Sequence, residues 1–359
     1  METVNEQLLR HSVDHAIDLQ HLGNSVSRKM MSLLNKSDVR LTIALQAALE
    51  RLPVESFTVQ RLDALLSDVR ALNGAAYQSV RKGLETDLLD LTVEESAYNA
   101  DLFKHVLPVS VSVATVSPQM VYAAAMARPF QVSKDRAVPL LDYLDGLGED
   151  RARMIRDSIR LGYINGETND QIVRTIRGTK TQNYADGLMQ APRQYIENMV
   201  RTAINHTSNF TAQRFYEANG SMIKGVMWVA TLDSRTSLVC ASRDGKVYPL
   251  DSGPRPPAHI GCRSRTSPVV KSWRELGLNI DEFKSTRASI DGQVPEDLTY
   301  QKWLEKQTAT RQDEILGKTK GQLFRAGGTL DKFVDNKGRT LTIDQLRQKH
   351  AELFNRAGI

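Results

Sequence analysis

The sequence is poor in cysteine and has no long uncharged apolar run. Two cysteines among 359 residues are too few to hold a fold together by disulfide bonds, which excludes a disulfide-rich scaffold. A transmembrane helix needs about 18 or more consecutive apolar residues. No such stretch occurs, so we expect no membrane partner. Glu2, Glu6 and Arg10 interrupt the first ten residues, so we also expect no signal peptide.

The composition is typical of a globular protein with several domains. The apolar fraction is 41%, and 359 residues leave room for two or three domains. The net charge of +5 is unevenly distributed: residues 1–130 hold 12 basic and 15 acidic side chains, whereas residues 231–290 hold 10 and 6. A basic segment is compatible with contact with DNA and equally with an ordinary solvated surface.

The stretch from Trp228 to Pro268 holds both cysteines, His259 and the densest group of turn-forming residues. The apolar, β-branched run 225–232 around Trp228 predicts a buried strand. Asp and Gly tolerate the positive φ of a tight turn, so Asp244-Gly245 predicts a hairpin with residues 246–248 as the returning strand. The prolines at 254–257 predict an extended path that leads into a His-x-x-Cys loop.

This ordered motif resembles the phage Mu F-like minor head proteins, also called the phage head morphogenesis family. The matching residues are Trp228, Asp233, Arg235, Thr236, Cys240, Asp244, Gly245, Pro257, His259, Cys262 and Arg263. The core of the resemblance runs from about residue 151 to 268, and an upstream Arg-Thr-x-x-Asn segment with Arg201 and Asn205 at its ends matches as well. Two positions depart from the pattern, because many members carry cysteine where this sequence has Ser237 and Ser264.

The resemblance implies a structural minor head protein of a tailed bacteriophage that acts in head assembly, DNA packaging or DNA delivery. It implies association with the portal vertex and contact with the portal protein and with the major capsid protein or a scaffold. Contact with packaged DNA stays open. The protein would reside in the virion, in the head interior or at the portal vertex, after assembly in the host cytoplasm, where the cysteines stay reduced.

Outside the motif, helical periodicity predominates. We therefore predict an α+β protein that is mostly helical, with a small antiparallel β element carrying the motif. Residues 1–130 would form an N-terminal helical domain, 131–290 the Mu F-like domain and 291–359 a small helical C-terminal segment. The predicted helices of the first two domains lie at 4–35, 39–52, 56–72, 75–107, 119–128, 151–161, 168–178 and 191–219.

Three further segments lie between or after these helices. Alternating valines predict a strand or an extended connector at 106–116, and 281–291 is predicted as a loop or a short helix. The C-terminal segment should hold short helices around an aromatic core that includes Tyr300, Trp303, Phe324 and Phe333, with a turn at 335–338 and a last helix at 342–355.

Cys240, His259 and Cys262 are residue types that bind zinc. A closed tetrahedral site needs four ligands, and the serines at 237 and 264 leave the set short unless Asp233 or Asp244 completes it. We therefore predict that zinc is absent or not essential and that the cysteines pack as small apolar residues. A zinc site at these three residues is the alternative.

A Cys–His pair could also act as a thiol nucleophile, and the array is similar to that of zinc-bearing nucleases of the His-Asn-His type. The sequence places no second histidine, glutamate or asparagine near His259 and contains no phosphate-binding glycine motif. We predict no catalytic residues. A metal-dependent or Cys/His nuclease-like enzyme is the alternative function.

We predict instead that the charged residues of the motif are structural. Asp233, Arg235, Asp244 and Arg263 should fix the loops by pairing with one another, so that Arg235→Ala unfolds the motif. On the preceding helix, the polar side chain of Asn205 should brace the motif through backbone hydrogen bonds rather than through chemistry.

Overall fold

The computed structural model describes residues 3–51, 59–107, 112–133, 136–182, 184–271, 275, 286–289, 292–295, 298–335 and 338–359. Helices dominate it and its strands form small antiparallel sheets, so the predicted mostly helical α+β class is confirmed. Among the described residues, none of the helices combines the length and apolarity that crossing a membrane requires.

Two helices, α1 (Val4–Glu50) and α2 (Val59–Val106), form a long hairpin. They run antiparallel, because Lys29 Nζ lies 2.6 Å from Asp87 Oδ1 and the Tyr98 hydroxyl donates to the His11 carbonyl at 3.3 Å. At 1.5 Å rise per residue each helix is about 70 Å long. The first two helices of the predicted N-terminal helical region thus form a hairpin.

The prediction of four shorter helices was wrong. The polar run 35–38 continues α1, because Asp38 is buried and paired with Arg151 and with Arg193, whose Nη2 lies 2.7 Å from Asp38 Oδ2. The predicted break near residue 73 lies inside α2, where the buried Asn73 donates to the Gly148 carbonyl at 2.8 Å. Both polar side chains bond to partners far along the chain, so neither has to end a helix.

The chain then forms a short helix, a small hairpin and three further helices. α3 (Pro118–Ala127) agrees with prediction, and residues 112–117 before it have no regular structure; 108–111 lie outside the described residues. The hairpin of β1 (Phe130–Ser133) and β2 (Arg136–Val138) was not predicted. The helices that follow are α4 (Leu140–Ile164), α5 (Asn169–Arg177) and α6 (Gln190–Ala218), with a 3-10 turn at Lys180–Gln182.

The helix ends in this region follow local rules. Thr168 caps α5 and exchanges hydrogen bonds with Gln171, and Gly178 ends the helix at a φ of 89°, so the predicted helix at 168–178 is confirmed. α6 agrees with prediction to within one residue at each end, whereas the predicted helix 151–161 is only part of α4. Local side-chain-to-backbone bonds therefore mark the ends of α5 well, but they do not show how far α4 extends.

One apolar core joins α1, α2, α3, α4 and α6. Its fully buried members include Met30, Leu84, Ala125, Leu144 and Val200. The helices on both sides of residue 130 thus share a core, and the division of the chain into three domains stays a prediction. A separate cluster packs the open end of the hairpin, at Leu8 and Phe103, against the sheet that carries the motif.

That sheet has three antiparallel strands in the order β4-β3-β5, formed by β3 (Ile223–Val229), β4 (Val247–Tyr248) and β5 (Arg265–Val270). The buried strand around Trp228 is confirmed, although it ends at 229. The predicted returning strand is confirmed, because β4 pairs antiparallel with β3; the tight hairpin turn at Asp244-Gly245 was wrong, since a helix, α7 (Leu238–Arg243), lies between the two strands. β5 was not predicted and extends the sheet beyond residue 248; it packs on α6 and α1.

A strand pair and the C-terminal helices complete the fold. β6 (Thr286–Ser289) and β7 (Gly292–Pro295) are antiparallel, so the predicted loop or short helix was wrong at 286–289; residues 281–285 lie outside the described part. The C-terminal elements are α8 (Tyr300–Glu305), α9 (Ala309–Leu316), α10 (Lys318–Arg325), a 3-10 turn (Leu330–Phe333), α11 (Ile343–Lys349) and α12 (Ala351–Ala357).

The predicted aromatic core is present in this C-terminal segment. Tyr300, Trp303 and Phe333 are fully buried in one cluster that also takes in Leu232 and Ala241 of the motif. The predicted last helix is divided in two at His350, whose φ of −137° and ψ of 46° are not helical. The C-terminal helices therefore cover one side of the motif.

Candidate functional site

Trp228 anchors the motif from near the end of β3. Its side chain is fully buried, and the Arg243 guanidinium lies 5.1 Å from its ring centre. Its backbone pairs with the turn that follows α7: Trp228 N donates to Lys246 O, and Gly245 N donates to Trp228 O, both at 2.9 Å. Gly245 has a φ of 76°, which explains why glycine follows the aspartate here.

Asp244 is a buried connector between the motif and the C-terminal helices. One carboxylate oxygen accepts from Ala230 N at 2.7 Å, and the other accepts from Tyr300 N at 2.8 Å. The predicted loop-shaping role fits these contacts, which are made with backbone amides. Its two oxygens tie β3 to the first turn of α8.

Asp233 and Arg263 form a bidentate ion pair. Arg263 Nη1 lies 2.6 Å from Asp233 Oδ2, and Nη2 lies 2.7 Å from Oδ1. Burial raises the pKa of Asp233, but the hydrogen bonds and charge of Arg263 outweigh it and hold this pKa below its usual value. Oδ1 also accepts from Arg235 N at 3.0 Å and from the Thr236 hydroxyl at 3.3 Å.

Arg235 takes little part in this pairing. Its guanidinium is 3.6 Å from Asp233 Oδ2, and its side chain is 77% exposed. The structure therefore pairs Asp233 with Arg263, the more distant arginine in sequence. The expectation that Arg235→Ala unfolds the motif has no support in these contacts.

Helix α6 braces the His-x-x-Cys loop. Asn205 Nδ2 donates to the carbonyls of Cys262, at 2.8 Å, and Ser264, at 3.0 Å. The Thr202 hydroxyl accepts from Gly261 N at 2.8 Å. These contacts are the kind predicted for this helix face. Arg201 instead turns to α1, where its Nε donates to Asn24 Oδ1 at 3.0 Å.

Sequence reasoning missed one member of this brace, Asn209. Its Oδ1 accepts from Thr266 N at 3.1 Å, at the start of β5, and its Nδ2 bonds Asn205 Oδ1 at 2.8 Å. The signal was available in the sequence: Asn209 lies four residues after Asn205, and residues four apart share one helix face. The unpredicted strand β5 is what gives this position its partner.

Cys240, Cys262 and His259 meet where α7 faces the His-x-x-Cys loop. The two sulfur atoms are 3.6 Å apart, and Cys240 Sγ is 3.5 Å from His259 Nε2. His259 Nε2 also lies 2.8 Å from the hydroxyl of Ser237, the N-cap of α7. All three ligand atoms lie within 4.8 Å of one another, so these residues could hold a metal ion.

The two thiols have opposite electrostatic surroundings. The hydrogen bond from Cys262 lowers the pKa of Cys240 well below its usual value, with help from His259, despite burial. The same bond, together with burial, raises the pKa of Cys262 well above its usual value. Burial lowers the pKa of His259, but its contact with Cys240 outweighs this and raises it overall.

A cleft of about 1010 Å³ opens beside His259. The proline run of the motif lines it, and Pro257 follows a cis peptide bond. The charged side chains among the described lining residues are mostly basic; they are Arg128, Arg243, Arg255, Arg339 and the single carboxylate Asp335. Asp335 is paired with the Arg339 guanidinium. His259 thus faces an open space whose described carboxylate already has a cationic partner.

Comparison with known families fits this arrangement. Residues 153–267 match the family model described as phage Mu protein F like protein. This part of the chain is similar to the phage Mu F-like proteins. The match begins within α4 and ends within β5, so it contains α6, β3, β4, the first half of β5 and the motif residues from Trp228 to Arg263. Searches of curated proteins and of solved structures gave no match.

The match confirms the family resemblance drawn from the motif: the chain is similar to phage head morphogenesis proteins. The hairpin α1–α2 and the C-terminal helices lie outside the matched residues, yet both pack directly on the Mu F-like domain. The matched domain is therefore embedded between two segments of this chain that the family model does not include.

Proposed function

We propose that this protein is a structural minor head protein of a tailed bacteriophage that binds near the portal vertex during head assembly. The observation that carries the proposal is the match of residues 153–267 to the Mu F-like family. Its partners would be the portal protein and the major capsid protein or a scaffold, and it would remain in the virion.

The contacts of the motif support a structural role. The carboxylates of Asp233 and Asp244 are engaged in bonds that close loops, and Asn205 bonds two carbonyl groups of the His-x-x-Cys loop. Groups used in this way hold a shape rather than react with a substrate. The motif is thus built as a rigid module that could present a fixed surface to a neighbouring protein.

The long hairpin α1–α2 would extend towards a partner protein and provide surface for contact with it. On α1, the side chains of Val39 and Ile43 are one turn apart and are 59% and 64% exposed. Apolar side chains exposed next to each other favour a protein partner. We expect the double variant Val39→Asp/Ile43→Asp to fold but to enter particles in reduced copy number. The double variant Ser32→Asp/Asn35→Asp, which adds the same charge at exposed positions of α1, is the matched control.

The experiment is to produce particles from a phage that lacks the gene and is complemented with each variant. Copies of this chain relative to the portal protein are counted by quantitative mass spectrometry, and crosslinking identifies the neighbour. Wild type and the control should be incorporated and crosslinked to the portal protein. Normal heads without this chain, or crosslinks that never include the portal, would refute the proposed role.

DNA is a further proposed partner at the cleft beside His259. Arg128 and three other arginines line it, which suits a phosphate backbone. Binding of the purified protein to duplex DNA should weaken in Arg128→Ala and fall with rising salt concentration. Equal binding by this variant at every salt concentration would exclude the cleft as the DNA surface.

A Cys/His enzyme is the second candidate, because His259 Nε2 contacts Cys240 Sγ and the imidazole lines an open cleft. A nuclease assay on the purified protein tests it directly. Activity that His259→Ala abolishes, while the variant still folds and enters particles normally, would favour the enzyme over the structural role.

A further inference from the structure

We propose that Cys240, His259 and Cys262 bind one Zn²⁺ ion, with an oxygen at the Ser237 side completing a tetrahedral site. This goes beyond the proposed role in the phage head, because it concerns what holds the Mu F-like domain together. The sequence alone favoured the absence of zinc, since serine occupies positions 237 and 264. The arrangement of the donor atoms changes that conclusion.

Two of the three distances between the donor atoms are close to those of a zinc site. Zinc binds sulfur at about 2.3 Å and histidine nitrogen at about 2.0–2.1 Å in a tetrahedron, which places two sulfurs about 3.8 Å apart and sulfur and nitrogen about 3.5 Å apart. The corresponding distances here are 3.6 Å between the sulfurs and 3.5 Å between Cys240 Sγ and His259 Nε2. The third pair, Cys262 Sγ and His259 Nε2, lies within 4.8 Å, so an ion could bind once these two side chains close on it.

The imidazole is oriented as a metal ligand. His259 Nδ1 lies 2.8 Å from the carbonyl oxygen of Ile260, to which it donates its proton. This leaves the lone pair of Nε2 directed at Cys240. A histidine held by a backbone carbonyl through its second nitrogen is the arrangement that metal sites commonly use, because it fixes both the tautomer and the ring.

The two thiols are enclosed and lie on separate elements. Cys240 is 2% and Cys262 is 3% exposed, and they pack with Trp228 and Ala230. Cys240 belongs to α7, whereas Cys262 lies 22 residues later in the loop that α6 braces. An ion bound by both would therefore link α7 to this loop.

The structure also decides where the fourth ligand comes from. Asp233 and Asp244, the acidic candidates from the sequence, direct their oxygens at Arg263 and at the amides of Ala230 and Tyr300. The Ser237 hydroxyl, by contrast, lies 2.8 Å from His259 Nε2. The fourth position is thus filled by this hydroxyl or by a water that it holds.

The first test measures metal in the full-length chain. Protein purified under reducing conditions is incubated with equimolar zinc, desalted and analysed for metal; we expect about one zinc per chain. Cys262→Ser and His259→Ala should each lose most of it. His105→Ala, which removes an exposed histidine on α2, is the matched control and should retain the metal.

The second test identifies the ligands and does not depend on variants that remove them. Cobalt in place of zinc in the wild-type chain should give the visible absorption of a tetrahedral ion and a thiolate charge-transfer band. Ser237→Cys adds a thiolate at the fourth position and should raise zinc affinity by about tenfold or more. No retained zinc in the wild-type chain, or bound cobalt without a thiolate band, would overturn the proposal. These readouts are independent of head assembly.

Discussion

Replacing Arg263 with alanine should destabilise the motif strongly, whereas replacing Arg235 should hardly matter. The side chains of Arg263 and Asp233 are only 20% and 11% exposed, and two hydrogen bonds join them. Breaking a fully buried pair by removing one partner costs about 3–5 kcal/mol, and an exposed pair contributes about 0–1 kcal/mol. Asp233 would keep its bonds from Arg235 N and Thr236. We therefore expect Arg263→Ala to lower the free energy of unfolding by about 2–4 kcal/mol.

Arg235→Ala is the matched control, since it removes the same charge from a side chain that is 77% exposed. Its effect should stay below about 0.5 kcal/mol. Urea unfolding followed by tryptophan fluorescence measures both variants, because Trp228 and Trp303 are buried and Trp303 packs on Tyr300, whose hydroxyl donates to the Asp233 carbonyl. Arg263→Lys keeps the positive charge but loses the planar guanidinium that makes two hydrogen bonds to Asp233. The stability of this variant should therefore lie between those of the wild type and Arg263→Ala. Equal losses in Arg235→Ala and Arg263→Ala would refute the assignment of Arg263 as the partner of Asp233.

Three further predictions concern the core around the motif. Trp228→Ala should cost about 3–5 kcal/mol in urea unfolding, because the indole is fully buried; a loss below about 1 kcal/mol would contradict its role as anchor. Gly225→Ala should detach β4, since the new Cβ would lie 2.7 Å from the Tyr248 carbonyl oxygen; unchanged hydrogen exchange of the β4 amides would contradict this. Burial lowers the pKa of His206 below its usual 6.5, so the unfolded chain takes up a proton first and stability should fall as pH drops below about 6.5. His206→Gln should flatten that part of the stability profile, and a profile parallel to wild type would show that another group titrates there.

Features set by short-range contacts were predictable from the sequence. The capping box of Thr168 and Gln171 and the end of α5 at Gly178 rest on bonds within three or four residues, so the sequence pattern contains all the partners. The buried strand around Trp228 and the aromatic core of the C-terminal segment follow from apolar residues that must leave water. The order of the motif residues was enough to indicate the Mu F-like family.

Features set by distant partners were not predictable in this way. The run 35–38 looks like a helix break, but Asp38 remains in α1 because Arg151 and Arg193 neutralise it from 113 and 155 residues away. Asn209 could be placed on the correct helix face, yet its partner belongs to β5, a strand whose polar and apolar residues gave no clear period. The continuity of α1 thus depended on the charges of two distant arginines, and the bond at the start of β5 depended on the side-chain amide of a residue far along the chain.

The sequence by itself determined which residue types the site contains, and it named Cys240, His259 and Cys262 as the donors. Only the tertiary structure decided how they are used. It assigned Asp233 to Arg263 rather than to the nearer Arg235, engaged both oxygens of Asp244 in backbone bonds, and brought two sulfurs from separate elements to 3.6 Å. The physical reason is that a side chain's partner is selected by distance and direction in space, and α7 and the braced loop set these only when they pack together.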